Sequence, residues 1–454
     1  MQRPLIHFAP AKGWMNDPNG PIYADGLWHL FYQYNPFGSE WGNICWAYAT
    51  SPDLISWTRR GVRLAPDTAH GERWCFSGCT VPTPHGYAFL YTSVGFGENA
   101  ARDRAVQRIC ASNRSFTRTR RCGTITPDLH PLPVTEWRDP FVFERGGARY
   151  LLLAGVMNGK GNILLYKAAD ESLLHWKFLC PLFSRAGDIL ECPNAVMFGD
   201  TMLLLYSSIR ENRVRYAVGR FAGGQLAVAA EGVVDHGENC FYATNLARGE
   251  HGGTVLFAWL KESLLHGSSP DGSYSGCLAL PRTVHLENGR PVYAFAERLR
   301  ALSGRALPAE GGAVRTPCER AHLSFRTRGE GEATLLETGN ARVRLKVVSG
   351  EMHILREGTP CGDMREIVLP VRMTNEVEAV CDGTAVELLV NSCEAASFRF
   401  YPGDPVVTLF AAEEGFVSEL RACELLPAPM ADDESQSLRM VRREGWRNAG
   451  SGEK

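Results

Sequence analysis

Strongly apolar runs recur along roughly the first 300 positions: LWHLFYQY (27–34), YAFLYTS (87–93), RYLLLAG (149–155), TMLLLYSS (201–208) and TVLFAWL (254–260). Each follows a turn-forming tripeptide, in order ADG, PHG, RGG, FGD and HGG, and each is rich in aromatic and aliphatic residues, which predicts strands. Recurrence every 50–65 residues or so is the mark of propeller blades, so five recurrences predict five blades. No long segment keeps the i, i+3, i+4 apolar stripe of a helix. From about Leu302 the pattern changes. SGRALPAEGG reads as a linker, and AHLSFRT, ATLLET, VRLKVV, EMHILRE, AVELLV and ASFRFYP alternate apolar and polar positions as half-buried sandwich strands do. The predicted class is therefore all-β, a five-bladed β-propeller (1–302) followed by a C-terminal β-sandwich (303–430). Residues 431–454 form a charged tail expected to be poorly ordered or partly helical.

Upstream of each long run lies a shorter, more polar segment: WMNDPNG, CFSGCTV, EWRDPFVF, LECPNAV and CFYATNL. Asp17 precedes Trp28, Asp139 precedes Tyr150 and Glu191 precedes Met202 by the same interval. With no bulge to shift the register, those three carboxylates occupy equivalent places on the innermost strands and point into one central channel. Locally the first segment argues otherwise, because Asp17-Pro18-Asn19-Gly20 has the residues of a type I turn.

Composition narrows the field. The 454 residues are 44% hydrophobic and 22% charged with a formal net charge of −2, which supports a large core and gives no footprint for nucleic acid or an anionic membrane. The first residues contain no apolar run fit for a signal sequence, and no stretch of about 18 apolar residues occurs, so a cytoplasmic protein is expected. The 14 cysteines are scattered without zinc spacing and are read as reduced, mostly buried thiols; Cys75 and Cys79 are the closest pair, with a redox or metal role disfavoured. Neither a metal nor an organic cofactor is expected. The partner is a small carbohydrate, with a homodimer possible.

Paired carboxylates across a pocket are the machinery of glycoside hydrolysis. Trp14, Trp41, Trp46, Trp74, Phe76 and Trp137 supply flat apolar faces near the acids, while Asn16, Gln33, Ser77 and Arg138 supply directional hydrogen bonds. Each alone has a plainer reading. Arg138-Asp139 suits a structural ion pair, Glu191-Cys192 an edge residue beside a buried thiol, and His7 and Tyr242 suit satisfied packing roles near the site, His236 lying in the same VDHGENCFYA segment as Tyr242.

The ordered series WMNDPNG, FYQYNP, WGN (41–43), FSG (76–78), RDP (138–140), EC (191–192) and LPR (280–282) resembles the motifs of glycoside hydrolase family 32, the β-fructofuranosidases. DGTAVELLVN (382–391) is similar to a sandwich segment of that family. The resemblance implies a retaining hydrolase with Asp17 as nucleophile, Glu191 as acid/base and Asp139 binding fructose hydroxyls beside Arg138. It also implies a fructose pocket lined by Asn16, Gln33, Trp41, Phe76 and Ser77, with Tyr242 as a further contact. An ionised Asp17, held by turn amides and an arginine, and a protonated Glu191 in apolar surroundings are the expected states. The chain departs from the pattern at Ala47-Tyr48, at Asn194 and in SYSGCLALPR, which places the leaving-group side of the pocket in question. Arg102, Arg104, Lys160 and Arg210 are candidate phosphate contacts. A fructosyltransferase, a non-catalytic fructan-binding propeller and an inverting pentosan-cleaving relative remain as alternatives.

Overall fold

The computed structural model describes residues 3–438 apart from 96–104, 126–132, 238, 263–271, 310–312, 317, 339–340, 359–365, 402–406, 412–414 and 436. Among the described residues strands dominate, and helices are confined to short 3-10 turns such as Thr68–His70 and Glu297–Leu302. No helix among them is long and apolar enough to cross a membrane.

Before Phe295 the strands fall into five antiparallel sheets, each begun by an inner strand: Gly13–Ala24, Glu72–Thr83, Thr135–Arg145, Leu190–Phe198 and Phe241–Arg248. Each inner strand contacts the next, and the fifth contacts the first, so the five close a ring. The apolar runs form the second strand of each sheet. Thr201–Ser208 is buried along almost its whole length, whereas Gln225–Val233, two strands further out, is largely exposed. That gradient explains why second strands read as continuous apolar runs: both of their faces are covered by neighbouring sheets. Tyr274–Ser275 pairs in parallel with the start of the first inner strand, joining the end of the ring to its beginning.

All five inner strands carry the same irregularity. Two consecutive residues oppose a single residue of the neighbouring strand: Asn16-Asp17 opposite Gln33, Phe76-Ser77 opposite Thr92, Asp139-Pro140 opposite Leu153, Cys192-Pro193 opposite Tyr206, and Ala243-Thr244 opposite Ala258. These are β-bulges, which bend a strand and re-aim its side chains. Asp139, Cys192 and Ala243 take the left-handed conformation there, with φ of 59°, 48° and 51°. The expected common register of the three acids is corrected by this finding. Glu191 precedes its bulge, Asp139 is the first residue of its own, and Asp17 is the second. The local turn reading fails as well, because residues 16–20 lie within the first inner strand. Gly20 is required by close approach rather than by a turn: its φ is +44°, and a Cβ there meets Thr80 of the neighbouring inner strand at 2.2 Å.

The later strands form two six-stranded sheets, Ser303–Ala306 pairing into one and Val314–Thr316 into the other, around a separate apolar core that includes Leu323, Phe325, Leu345, Ile354 and Phe398. Arg320–Arg328 and Ala341–Val348 alternate buried and more exposed positions, as the period of two demands. Part of the expected tail is built into the fold. Met430–Asp432 pairs with Trp57–Thr58–Arg59, Arg59 and Arg60 pair with Asp432 and Asp433, and Ser437 Oγ accepts from the Val62 amide; 439–454 lie outside the described residues.

A buried charged network joins the two regions. His7 reaches Asp382 through Nδ1 (2.8 Å) and Glu387 through Nε2 (3.0 Å), while Arg282 Nη2 donates to Glu387 (2.6 Å), Asp235 (2.8 Å) and Ser397 Oγ (2.7 Å). The LPR and DGTAVELLVN segments are thus two halves of one interface. His7 belongs to it rather than to the neighbourhood of the acids, and His236 likewise pairs with Glu394 at 2.9 Å. Burial opposes a charge on His7, but the two carboxylates prevail and raise its pKa to about 9. A raised histidine contributes stability that is complete below its unfolded value of about 6.5 and is lost as pH rises through 9. Denaturant midpoints are therefore expected to fall between about pH 6.5 and 9, and His7→Gln to flatten that limb. An unchanged slope in the variant rejects the assignment.

Candidate functional site

At one end of the ring a pocket of about 380 Å³ opens over the bulges. Its lining brings together all ten residues singled out from the sequence: Asn16, Asp17, Gln33, Trp41, Phe76, Ser77, Arg138, Asp139, Glu191 and Tyr242. Ile209, Asn212, Trp259 and Lys261 complete it and were not foreseen. These four follow or end predicted strands outside any motif. Only the placement of TVLFAWLKE beside the fifth polar segment hinted at them.

Asp17 sits on the floor amid uncharged donors. Asn16 Nδ2 donates to its Oδ1 at 3.1 Å; Oδ2 accepts from Ser77 Oγ, from Gln33 Nε2 at 3.3 Å and from the Cys192 thiol at 3.5 Å. Those donors are themselves braced. Asn16 Nδ2 also reaches Gln33 Oε1 at 2.7 Å, and Gln33 Nε2 reaches Ser77 Oγ at 2.6 Å. The bulge makes this possible, since it turns Asn16 and Asp17 out of the ladder opposite Gln33. Cys192, read from sequence as an incidental thiol, also donates its amide to Asp139 Oδ2 at 2.9 Å, so one residue of the EC motif touches both aspartates.

Glu191 has a different setting. Arg138 Nη2 donates to its Oε1 at 2.9 Å and the Tyr242 hydroxyl to its Oε2 at 2.9 Å. The expected apolar surroundings are replaced by a guanidinium and a phenol. Arg138 also pairs with Glu136, while its Nε lies 3.8 Å from Asp139. One arginine therefore serves three carboxylates.

Burial pushes the Asp17 carboxyl above its usual range, opposed by the Ser77 hydrogen bond and aided by repulsion from Glu191. This corrects the expectation of an Asp17 kept readily ionised by turn amides, because no turn is present and the arginine is spent on its neighbours. Asp139 is pushed up to about 7 by burial, against the attraction of Arg138. A carboxyl raised in the folded state binds more protons there than in the unfolded chain, so stability falls as pH rises from about 3.9 towards 7. Asp139→Asn removes that cost. The variant is expected to be more stable than the parent at pH 7.5, by on the order of a few kcal/mol, and no more stable at pH 4. Thermal unfolding at the two pH values checks this, and an equal gain at both rejects it.

The aromatic residues divide. Trp41 stands at the rim, 43% exposed, edge-on to Trp74 at 5.0 Å, and Trp74 stacks on Phe76 at 5.8 Å. Trp14 supports the floor by donating to Asn16 Oδ1 at 2.9 Å. Trp46 and Trp137 are core residues, their indoles donating to Phe76 O and Tyr166 OH. The departures from the family pattern also miss the pocket lining. Tyr48 is buried against Phe31 and bonds His29 at 2.6 Å, and Asn194 ties the Cys192 and Thr244 carbonyls together. Gly276 in SYSGCLALPR acts indirectly: a Cβ there meets Met15 O at 2.3 Å and the Trp259 indole at 2.6 Å. Lys160 and Arg210 do not line the pocket, and Arg102 and Arg104 lie outside the described residues. Cys75 and Cys79 are buried free thiols in separate clusters, and no metal-holding group occurs among the described residues.

Comparison with known proteins agrees with this arrangement. The model of the glycosyl hydrolases family 32 N-terminal domain matches residues 7–294. A raffinose invertase of Escherichia coli is 31% identical over 324 residues, covering 67% of each chain, and a sucrose-6-phosphate hydrolase of the same organism is 31% identical over 320 residues, covering 65% of this chain and 66% of its own. The aligned part of a Zymomonas mobilis sucrose-6-phosphate hydrolase is 61% of its length. Among solved structures, a Lactobacillus gasseri sucrose-6-phosphate hydrolase superposes with a TM-score of 0.82 at 20% identity, covering 94% of this chain and 93% of its own. A Bombyx mori GH32 beta-fructofuranosidase gives 0.80 at 23%, covering 94% of both. The motif series, the ring of bulged strands bearing it and the family match over most of the first region lead to one conclusion: this chain belongs to glycoside hydrolase family 32.

Proposed function

We propose that the protein is a retaining β-fructofuranosidase that releases fructose from sucrose, sucrose 6-phosphate or short fructo-oligosaccharides. The observation that carries this reading is the pairing of Asp17 and Glu191 in one pocket with unlike partners. Four uncharged donors point at Asp17, whereas Glu191 is held by the Arg138 guanidinium and the Tyr242 hydroxyl, the unlike settings that a nucleophile and an acid/base call for. In the first step Asp17 attacks the anomeric carbon of the fructosyl unit while Glu191 gives its proton to the departing glycosidic oxygen. In the second, Glu191 takes a proton from water, which attacks the fructosyl-Asp17 ester and frees the carboxylate. Asp139 accepts hydrogen bonds from fructose hydroxyls, oriented by the Cys192 amide. Asn16, Gln33 and Ser77 fix the nucleophile, and Trp41 and Phe76 provide the apolar wall.

The same reading takes the ring of five sheets as a five-bladed propeller over 1–302 and the two six-stranded sheets as a sandwich over 303–430. Residues 431–454 are then a tail whose first part docks on the first blade. NMR of the fructose first released from sucrose tests the mechanism: retained configuration supports it, and inversion excludes Asp17 as nucleophile. Free fructose measured against kestose at high sucrose separates transfer to water from transfer to sugar.

A further inference from the structure

Lys261 emerges from the end of Thr254–Leu260 into the pocket wall beyond Glu191. Its Nζ lies 3.6 Å from the centre of the Tyr242 ring and donates to Asn212 Oδ1 at 2.6 Å. Tyr242 is the residue whose hydroxyl holds Glu191, so the ammonium stands on the acid's side of the pocket. Where Glu191 protonates the departing oxygen, the departing sugar must lie on that side. Among the described residues no carboxylate is within ion-pair distance of Nζ. Of its three donors one is committed to Asn212.

The backbone beneath it is clamped from the second region. Arg399 donates through Nε to Lys261 O and through Nη2 to Leu260 O, each at 3.1 Å, and pairs with Glu262 at 3.2 Å. The Lys261 amide donates to Cys240 O at 2.9 Å. An ammonium on a backbone fixed from two sides, with donors to spare and facing a pocket, is a recognition group.

Charge decides what it recognises. Three carboxylates line the pocket against Arg138 and Lys261, and Arg138 is shared with Glu136 outside the lining. Among the described lining residues Lys261 is the one cation other than Arg138, which is already engaged by Glu136, Asp139 and Glu191, and a single ammonium satisfies sugar hydroxyls more fully than the several oxygens of a phosphate. Resting on the fructosidase reading above, we propose that Lys261 is a specificity-determining residue that donates hydrogen bonds to the hydroxyls of an uncharged leaving-group sugar. The second region thereby shapes substrate choice, through Arg399.

The test compares sucrose, sucrose 6-phosphate and an aryl β-fructofuranoside whose leaving group carries no sugar hydroxyls, using the full chain and its Lys261→Met and Lys261→Gln variants. For Lys261→Met, kcat/KM on sucrose is expected to fall about ten- to a hundredfold, mainly through KM, with the aryl substrate changed less than about twofold. Lys261→Gln, which keeps a donor without the charge, is expected to retain most of the sucrose activity, and it decides the matter if the methionine variant does not fold. Equal losses on sucrose and the aryl substrate overturn the proposal in favour of an action on the acids. A loss concentrated on sucrose 6-phosphate overturns it in favour of anion binding, and unchanged kinetics overturn it outright. Failure of the parent protein to release fructose from any of the three refutes the fructosidase reading instead.

Discussion

Asp17→Asn is expected to lower kcat on sucrose by at least about 10⁴-fold, as removal of a nucleophile does when the remaining groups act with it as a unit. The substitution keeps the size of the side chain. Its carbonyl oxygen can still accept from Ser77, Gln33 and Cys192, the three donors on Oδ2, while the new amide meets the Asn16 Nδ2 donor and loses that one hydrogen bond. Binding of sucrose should therefore persist, and the loss should lie almost entirely in kcat. Burial raises the Asp17 carboxyl, so the variant also sheds a charge that the fold holds at some cost and should be no less stable than the parent. Initial rates together with calorimetric titration of sucrose check both halves. Residual activity within about tenfold of the parent removes Asp17 from the role of nucleophile.

The largest expected effect on stability lies elsewhere, at Arg282. Its single Nη2 satisfies Asp235, Glu387 and Ser397, all buried, and its guanidinium lies 4.6 Å from the Phe241 ring centre. Arg282→Met leaves Asp235 and Glu387 in the interior with one cation, His7, for three carboxylates once Asp382 is included. Breaking a buried pair by removing one partner costs about 3–5 kcal/mol, far more than the 0–1 kcal/mol of an exposed pair. Glu387 feels this most directly, because Arg282 and His7 together hold its pKa near 2, against the cost of burial. Urea unfolding of Arg282→Met should shift by that amount. Arg326→Ala, which removes an exposed partner of Glu376 and Glu419, should scarcely move it. Similar shifts for the two variants contradict the network as the tie between the regions.

The candidate site was legible in the sequence to an unusual depth, yet partly by the wrong argument. Equal intervals from Asp17, Asp139 and Glu191 to the following run suggested one shared register, and the acids do share a pocket. They reach it from three successive positions relative to their bulges. A bulge adds one residue to a strand without leaving a mark in hydrophobic alternation, so counting along the chain could not have found it. The turn reading of WMNDPNG failed for the same reason, since the residues that favour a type I turn also tolerate a bulged strand. Trp46 and Trp137 were grouped with the pocket because sequence proximity cannot say which face of a strand a side chain takes.

What the sequence determined by itself was the architecture and the chemical cast. Apolar runs at blade spacing, alternating strands after residue 302 and a series of short polar segments are local properties of the chain, and they specify strands, sheets and the residues available for acid catalysis. What only the tertiary structure decided was the state and company of those residues. Asp17 owes its four donors to segments reaching from Asn16 to Cys192, and Glu191 is held by Arg138 and Tyr242, each about fifty residues distant. Lys261 faces the pocket on a backbone fixed by Arg399 from the other region. Burial, shared protons and the direction of a hydrogen bond depend on what the folded chain brings within a few ångströms, and no stretch of sequence records that distance.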